Sequence, residues 1–476
     1  MIRASIGGLP GEASEEIVNR GTGEMFEPDR KGSRFKSQGH QAEERYRVLS
    51  GISISFKAIK FIILPLILIL SVLGCSDRER NNPFDPQNPD AEQMNIGFNA
   101  LAGNKKVLLH WDSLKFVDLK GIQVIRLSED SPDTAILNES LLPPEVIEFM
   151  DDSVENGVTY AYYLRLVLKD SPELHETKSD LATPGWVFGW MEIENGTNIA
   201  LMTPDFRDEL FVLDAPFYSI QDIQFHPSNS KVWVLDGYTG KIASFTDSGE
   251  WLDEVSGLEN VGAFRFNNTD QSVWIAVKSL NGLLYHFSTR GELIEAYNTN
   301  LTPTSISVEY PTGDVWVGSS DPQIVKIHNK EVIQLAHSDF AVPELVAAGE
   351  AYKSSVWVLD TGSRTLFHFT NQALDWSLKV FKEPVDLVVN SDGDLCWIAD
   401  PGADFLYQID QKGNISNKLG GLGRPDYLVY NGHDNTVYVT GTSGKISKLA
   451  VEGQIIWQVE NQHQPGRIAL QIKQLY

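Results

Sequence analysis

Two groups of side chains in this 476-residue chain have types and spacing suited to chemistry. The first is a thiol. Cys75 follows Gly74 at the end of an apolar run and opens the polar stretch "CSDRERNNPFDPQNPD". A thiolate is a nucleophile that can be acylated or alkylated, and a small residue before it leaves room for a peptidase. The second is a column that recurs at intervals in the low forties: Gln221-Asp222, Gly262-Ala263, Thr304-Ser305, Glu344-Leu345, Val385-Asp386, Asp426-Tyr427 and Gly466-Arg467. Gathered on one rim, Asp222, Glu344, Asp386 and Asp426, with Arg467 beside them, could bind a cation or a basic peptide. The competing reading is local: Asp and Ser at strand starts bonding to nearby backbone amides.

Signatures of other chemistries are missing from the sequence. It has no His-x-His, HExxH or Cys/His cluster to ligate a metal, no G-x-S-x-G, no P-loop and no dinucleotide fingerprint. "SDGD" (Ser391–Asp394) carries the Asp-Gly of a hairpin turn and lacks the spacing and the bidentate Glu of an EF-hand loop. No cofactor is therefore expected, and a divalent cation in a central channel is left open. The formal charge of −25 argues against nucleic acid, whose binding needs Lys and Arg on phosphates. Two cysteines make no disulfide framework, and Cys396 reads as a small core residue.

The elements that must position the column are short strands in a long repeat. "VWVLD" at Val232, "VWIAV" at Val273, "VWVGS" at Val315, "VWVLD" at Val356, "CWIAD" at Cys396 and "VYVTG" at Val437 share one pattern. A steady period in the forties built from strands marks a β-propeller, one four-stranded blade per repeat. Each repeat reads as an inner strand, the V-W-V strand, a third strand such as "FLYQIDQKG", and a weaker outer strand. The column Trp186, Trp233, Trp274, Trp316, Trp357, Trp397 and Tyr438 is expected to fill the space between blades. Residues 185–217 match three outer strands without an inner one, and the C-terminal "QPGRIALQIK" matches an inner strand, which predicts a composite blade closing the ring. That makes seven blades, with six as the alternative.

The stretch "IADPGADFLYQIDQKGNI" (Ile398–Ile415) resembles an NHL repeat, and the array is similar to the NHL and gluconolactonase-like propellers. The latter resemblance implies a channel metal on Glu, Asn and Asp ligands, a set that does not match residue by residue here. Upstream, "VLGC" resembles the lipobox of bacterial lipoproteins. That implies cleavage between Gly74 and Cys75, acylation of Cys75 and, with Ser76 next, delivery to the outer membrane. Residues 1–50 read as a disordered leader or a misannotated start, 51–74 as the signal peptide, and 75–92 as a Pro/Asn-rich tether. Residues 93–183 resemble a fibronectin type III domain, with Trp111, Tyr160 and Tyr162 in its core, and 184–476 form the propeller.

The expectation is an all-β, seven-bladed β-propeller (alternatively six-bladed) behind a fibronectin type III-like sandwich. Its expected function is a non-catalytic binding platform on a lipid-anchored envelope protein, not an enzyme. Its partners would be the membrane through the lipid and an unknown protein, peptide or glycan, with no nucleic acid. The alternative is a metal-dependent hydrolase or lyase working in the channel.

Overall fold

A computed structural model of the chain describes residues 96–472, apart from 115–117, 129–130, 170–173, 195, 214, 216, 227–229, 256–257, 268, 280, 289, 350–353 and 462. The segments expected to be leader, signal peptide and tether, Gly74 and Cys75 included, lie outside the described residues. The regular elements among the described residues are β-strands.

Residues 99–182 form two sheets. Strands Asn99–Gly103, Lys106–His110 and Glu148–Asp151 make one. Ser131–Ile136, Leu119–Ser128, Tyr160–Leu168 and Leu174–Glu176 make the other, with Asp180–Ala182 also paired to Tyr160–Leu168. In that last strand Tyr160, Tyr162, Leu164 and Leu166 are buried while their neighbours are less so, the period of two that follows from strand pleating. Trp111 is fully enclosed. The Tyr162 hydroxyl donates to Asp151 Oδ2 at 3.0 Å, an oxygen that also receives Arg126 at 2.8 Å. The Tyr160 hydroxyl accepts the Glu155 amide at 3.0 Å and so ties down the turn before its own strand.

Seven four-stranded antiparallel sheets make up the rest of the described chain, a β-propeller-like arrangement. Their inner strands are Ile468–Ile472, Ile220–His226, Val261–Phe266, Pro303–Val308, Leu345–Ala348, Asp386–Val389 and Pro425–Asn431, and the sheets are numbered first to seventh in that order. The second strands are buried along almost their whole length, as in Val273–Val277 and Ser355–Asp360. Both faces of these strands pack on neighbouring sheets, so apolar residues run on without alternation. The first sheet is composite. Ile468–Ile472 pairs with Val187–Ile193, placing Ile468 opposite Met191 and Ile472 opposite Val187. This is the pairing that the match between the two ends of the repeat array predicts.

Large aromatics fill the seams between sheets. Trp233 packs with Phe264, Val273 and Ile275 of the third sheet. Trp274 meets Val315 and Val317, Trp316 meets Val356 and Val358, and Trp357 meets Cys396 and Ile398. Trp397 then packs with Val437 and Val439, and Tyr438 with Met191 and Ile193 of the first sheet. Trp190 completes the circuit against Val232 and Val234 of the second.

Trp186 does not belong to this column, and the expectation that it would is corrected here. Trp190 lies opposite Leu201 as Trp233 lies opposite Ser244. Trp186 instead sits 41% exposed, edge-on to His433 with ring centres 5.2 Å apart. The physical reason is turn length. The second and third strands are joined by residues 194–197 in the first sheet and by 237–240 in the second, connections of equal size. Counting back from "NIALM" without a gap therefore lands on Trp190.

An acidic cluster marks the junction between residues 99–182 and the first sheet. The Thr183 amide donates to Asp205 Oδ2 at 2.9 Å, and the Gly185 amide to the Gly103 carbonyl at 3.0 Å. Burial, followed by the charges of Asp180 and Asp205, pushes the Asp208 carboxyl up to about 7. An acid whose folded pKa lies above its unfolded value contributes most stability while protonated, and that contribution fades as pH rises from about 4 through 7. Asp208→Asn should thus melt higher than the wild type at pH 8. The gain should be on the order of 1 kcal/mol, allowing for a side chain still partly in solvent. Below about pH 4 the difference should vanish. Thermal unfolding of both chains between about pH 3.5 and 9 checks this, and a difference independent of pH would refute it.

Candidate functional site: the central channel

Each inner strand neighbours the next, and Ile468–Ile472 neighbours both Pro425–Asn431 and Ile220–His226. The seven strands surround a cavity of about 710 Å³. Inner strands present an unpaired edge to this space, and their buried amides and carbonyls need partners. Side chains of the preceding sheet supply them. Ser305 Oγ accepts the Val346 amide at 3.2 Å, and Ser307 Oγ accepts the Ala348 amide at 2.9 Å. Gln224 Nε2 donates to the Phe264 carbonyl at 2.6 Å, and Arg265 Nε to the Ile306 carbonyl at 3.2 Å. Each bond joins residues about one repeat apart, so much of the polar inner-strand column is stitching between sheets.

The candidate rim residues divide accordingly. Asp222, Asp386 and Arg467 line the cavity, whereas Glu344 and Asp426 are not among its lining residues. Glu344 Oε2 accepts the Thr361 hydroxyl at 2.6 Å. Asp386 is a stitch: its Oδ1 takes the Leu387 amide at 2.9 Å and its Oδ2 the Leu428 amide at 2.8 Å. Burial pushes its carboxyl up to about 6, against the pull of the Arg467 charge and of these amides. Asp222 receives Gln224 Nε2 at 2.8 Å. Burial likewise raises Asp426, with Arg467 opposing.

Arg467 differs from all of these. Its guanidinium lies over the Tyr427 ring, 4.5 Å from the centre, in cation–π contact. Its Nε is buried with no hydrogen-bond partner, and among the described residues no carboxylate pairs with it. The nearby Glu192 spends its Oε2 on the Arg467 backbone amide at 3.1 Å. Tyr427 stands in the sequence column but not among its charged candidates, and Glu192 stands outside that column. Glu192 had no signal, since only its pairing to the C-terminal strand brings it there. At the opposite end of the inner strands, Arg265, Tyr310 and His433 line the cavity.

A second set of carboxylates was missed although its signal was plain, the Asp that closes "VWVLD" and "CWIAD". Asp360 takes the Ala341 and Val342 amides at 2.6 and 3.1 Å, and Asp400 those of Lys382 and Glu383 at 2.8 and 2.9 Å. Both are fully buried and fasten the loop that enters their own inner strand. They are structural anchors, each charged hydrogen bond worth about 1.5–3 kcal/mol.

Among the described residues no group of three or more His, Cys, Asp or Glu is placed to hold a metal ion. Burial drives the Cys396 thiol well above its usual range, which leaves it a poor nucleophile. "SDGD" is a turn: Asn390 Oδ1 accepts the Asp394 and Leu395 amides at 3.1 and 3.0 Å, and Gly393 takes the left-handed conformation at φ 70°.

No family model matches the chain. No curated protein matches it either. A functionally unknown protein from Desulfotomaculum acetoxidans is 13% identical over 60% of this chain and 98% of its own, with a TM-score of 0.49. The hydrazine synthase of Kuenenia stuttgartiensis is 14% identical over 48% of this chain and 76% of its own, with a TM-score of 0.42. The Cps50 (Swd1) β-propeller domain of Myceliophteria thermophila is 8% identical over 53% and 89%, with a TM-score of 0.43. The structural neighbours of this chain thus include a β-propeller domain and a protein of unknown function.

Proposed function

We propose that this chain is a lipid-anchored cell-envelope protein whose seven-bladed propeller is a non-catalytic binding platform, carried on a fibronectin type III-like module. The observation that carries the binding reading is the channel: a cavity of about 710 Å³ walled by seven inner strands, with the Arg467 Nε buried at its edge without a hydrogen-bond partner. Ligand pockets are commonly of this size, mostly apolar with a few placed polar groups. Catalysis needs a metal, or a nucleophile within reach of a base, at one point. The lining carboxylate Asp386 is instead committed to backbone amides. Seven sheets and seven seams, the last joining Tyr438 to Met191, support the blade count. The split into a three-stranded and a larger sheet supports the sandwich reading, and "VLGC" before a Pro-rich spacer supports the anchor and envelope location.

The test is capture. The full chain, incubated with an extract of small metabolites and peptides, dialysed and then denatured, should release bound compounds chemically unchanged. Arg265→Trp, which fills the channel from an exposed position, should abolish their retention. A released product, or retention insensitive to Arg265→Trp, would overturn the platform reading. In the same expressing cells Cys75→Ser should lose all incorporated fatty acid, and undiminished labelling would remove the anchor.

A further inference from the structure

The channel ligand can be narrowed from the charges that line its wall, an argument that rests on the binding reading above. Asp222 lies opposite Leu235, two residues beyond Trp233. The Arg467 carbonyl accepts the amide of Glu192, two residues beyond Trp190. Asp222 and Arg467 therefore hold the same register on the adjacent inner strands of the second and first sheets. Both line the cavity. An acid and a base so placed would ordinarily pair, yet they do not: Asp222 receives Gln224, while Arg467 lies over Tyr427.

The same register continues round the ring as Ala263, Ser305, Leu345, Asp386 and Tyr427. Of these only Asp386 and Tyr427 line the cavity with Asp222 and Arg467, so at this end of the channel both signs of charge sit on neighbouring strands, while Arg265 lies at the opposite end. A simple anion drawn to Arg467 would meet the carboxylates of Asp222 and Asp386. A simple cation drawn to Asp222 would meet the guanidinium. Either would lose in repulsion a large part of what it gained. A molecule carrying both charges offsets each penalty with an attraction, and its apolar part can face Ile306, Val308, Val346 and Ala348, which line the same cavity.

We propose that the channel binds a small zwitterion, a free amino acid or dipeptide, whose carboxylate engages the Arg467 guanidinium and whose ammonium engages Asp222. Arg467 has the fork of donors that suits a carboxylate, with Tyr427 holding its plane. Asp222 keeps acceptor capacity beyond the single bond from Gln224.

Isothermal titration of the full chain with L-alanine, L-alanyl-L-alanine, acetate and ethylammonium tests this. At least one zwitterion should bind, and acetate and ethylammonium should bind at least about tenfold more weakly. Arg467→Gln and Asp222→Asn should each weaken the zwitterion about tenfold or more, the loss of one charge-assisted bond. Arg467→Lys keeps the charge without the fork, should also weaken binding, and provides the comparison if Arg467→Gln melts abnormally. Acetate binding as tightly as the zwitterions, no binding by either zwitterion, or binding indifferent to Arg467 would overturn the proposal. Channel-dependent capture of an uncharged compound would overturn it while leaving the platform reading intact.

Discussion

A chain ending at Pro465 should fail to form a cooperative propeller, and should elute as aggregate or lose its melting transition. The cut removes the strand Ile468–Ile472, the whole inner edge of the first sheet. Ile468 and Ala469 are buried in the seams to the seventh and second sheets, so two interfaces open at once. The Trp190 Nε1–H, buried, loses its acceptor Gln471 Oε1 at 2.8 Å. Core deletions of this size cost about 2–5 kcal/mol per large side chain, against a net stability of about 5–15 kcal/mol. The strand Val187–Ile193 would be left with a raw edge, open to pairing with other chains. A chain ending at Ile472 keeps every described contact and is the control. Size-exclusion chromatography and thermal unfolding of the two truncations decide the matter: equal melting would mean that the ring closes without its C-terminal strand.

The repeat was legible because burial on both faces writes a strong pattern. A strand packed between two sheets needs a continuous apolar run, and a tryptophan at one fixed register fills the seam. Hence Val232, Val273, Val315, Val356, Cys396 and Val437 could each be placed on a strand from sequence alone. Trp186 went astray because two tryptophans stand close together, and only the length of the following turn tells which one enters the seam. The channel column was legible as a column but not as chemistry. Whether Asp386 points into the cavity or spends both oxygens on Leu387 and Leu428 depends on a neighbour one repeat away, and that geometry leaves no local trace. Arg467 was visible only as one member among carboxylates. Its surroundings are a property of the closed ring, since Tyr427 and Glu192 reach it from different sheets.

The tryptophan register carries the second large effect. Trp357 is fully buried between the fifth and sixth sheets, 4.6 Å from the His368 ring and 5.3 Å from Trp376, and its Nε1–H donates to the Gly393 carbonyl at 3.2 Å. Trp357→Ala would leave a cavity walled by sheets that cannot both collapse into it, at a cost of about 3–5 kcal/mol. Trp190→Ala should cost a similar amount, since that ring is equally enclosed against Phe211 and Val232. Trp186→Ala removes a side chain already 41% exposed, and should fall within about 0.5 kcal/mol of the wild type, as surface changes do. Urea unfolding of the three variants reads the effect as a shift in midpoint at unchanged slope. The contrast is sharper than any single value, because Trp186 and Trp190 sit in one short segment and share the same fold. Should Trp186→Ala prove the costlier of those two, the first sheet would be shifted in register. Its pairing to Ile468–Ile472 would shift with it, because bringing Trp186 to the place of Trp190 opposite Leu201 moves the strand by four residues. The ring would then have to close on a different set of contacts, and Glu192 would no longer stand beside Arg467.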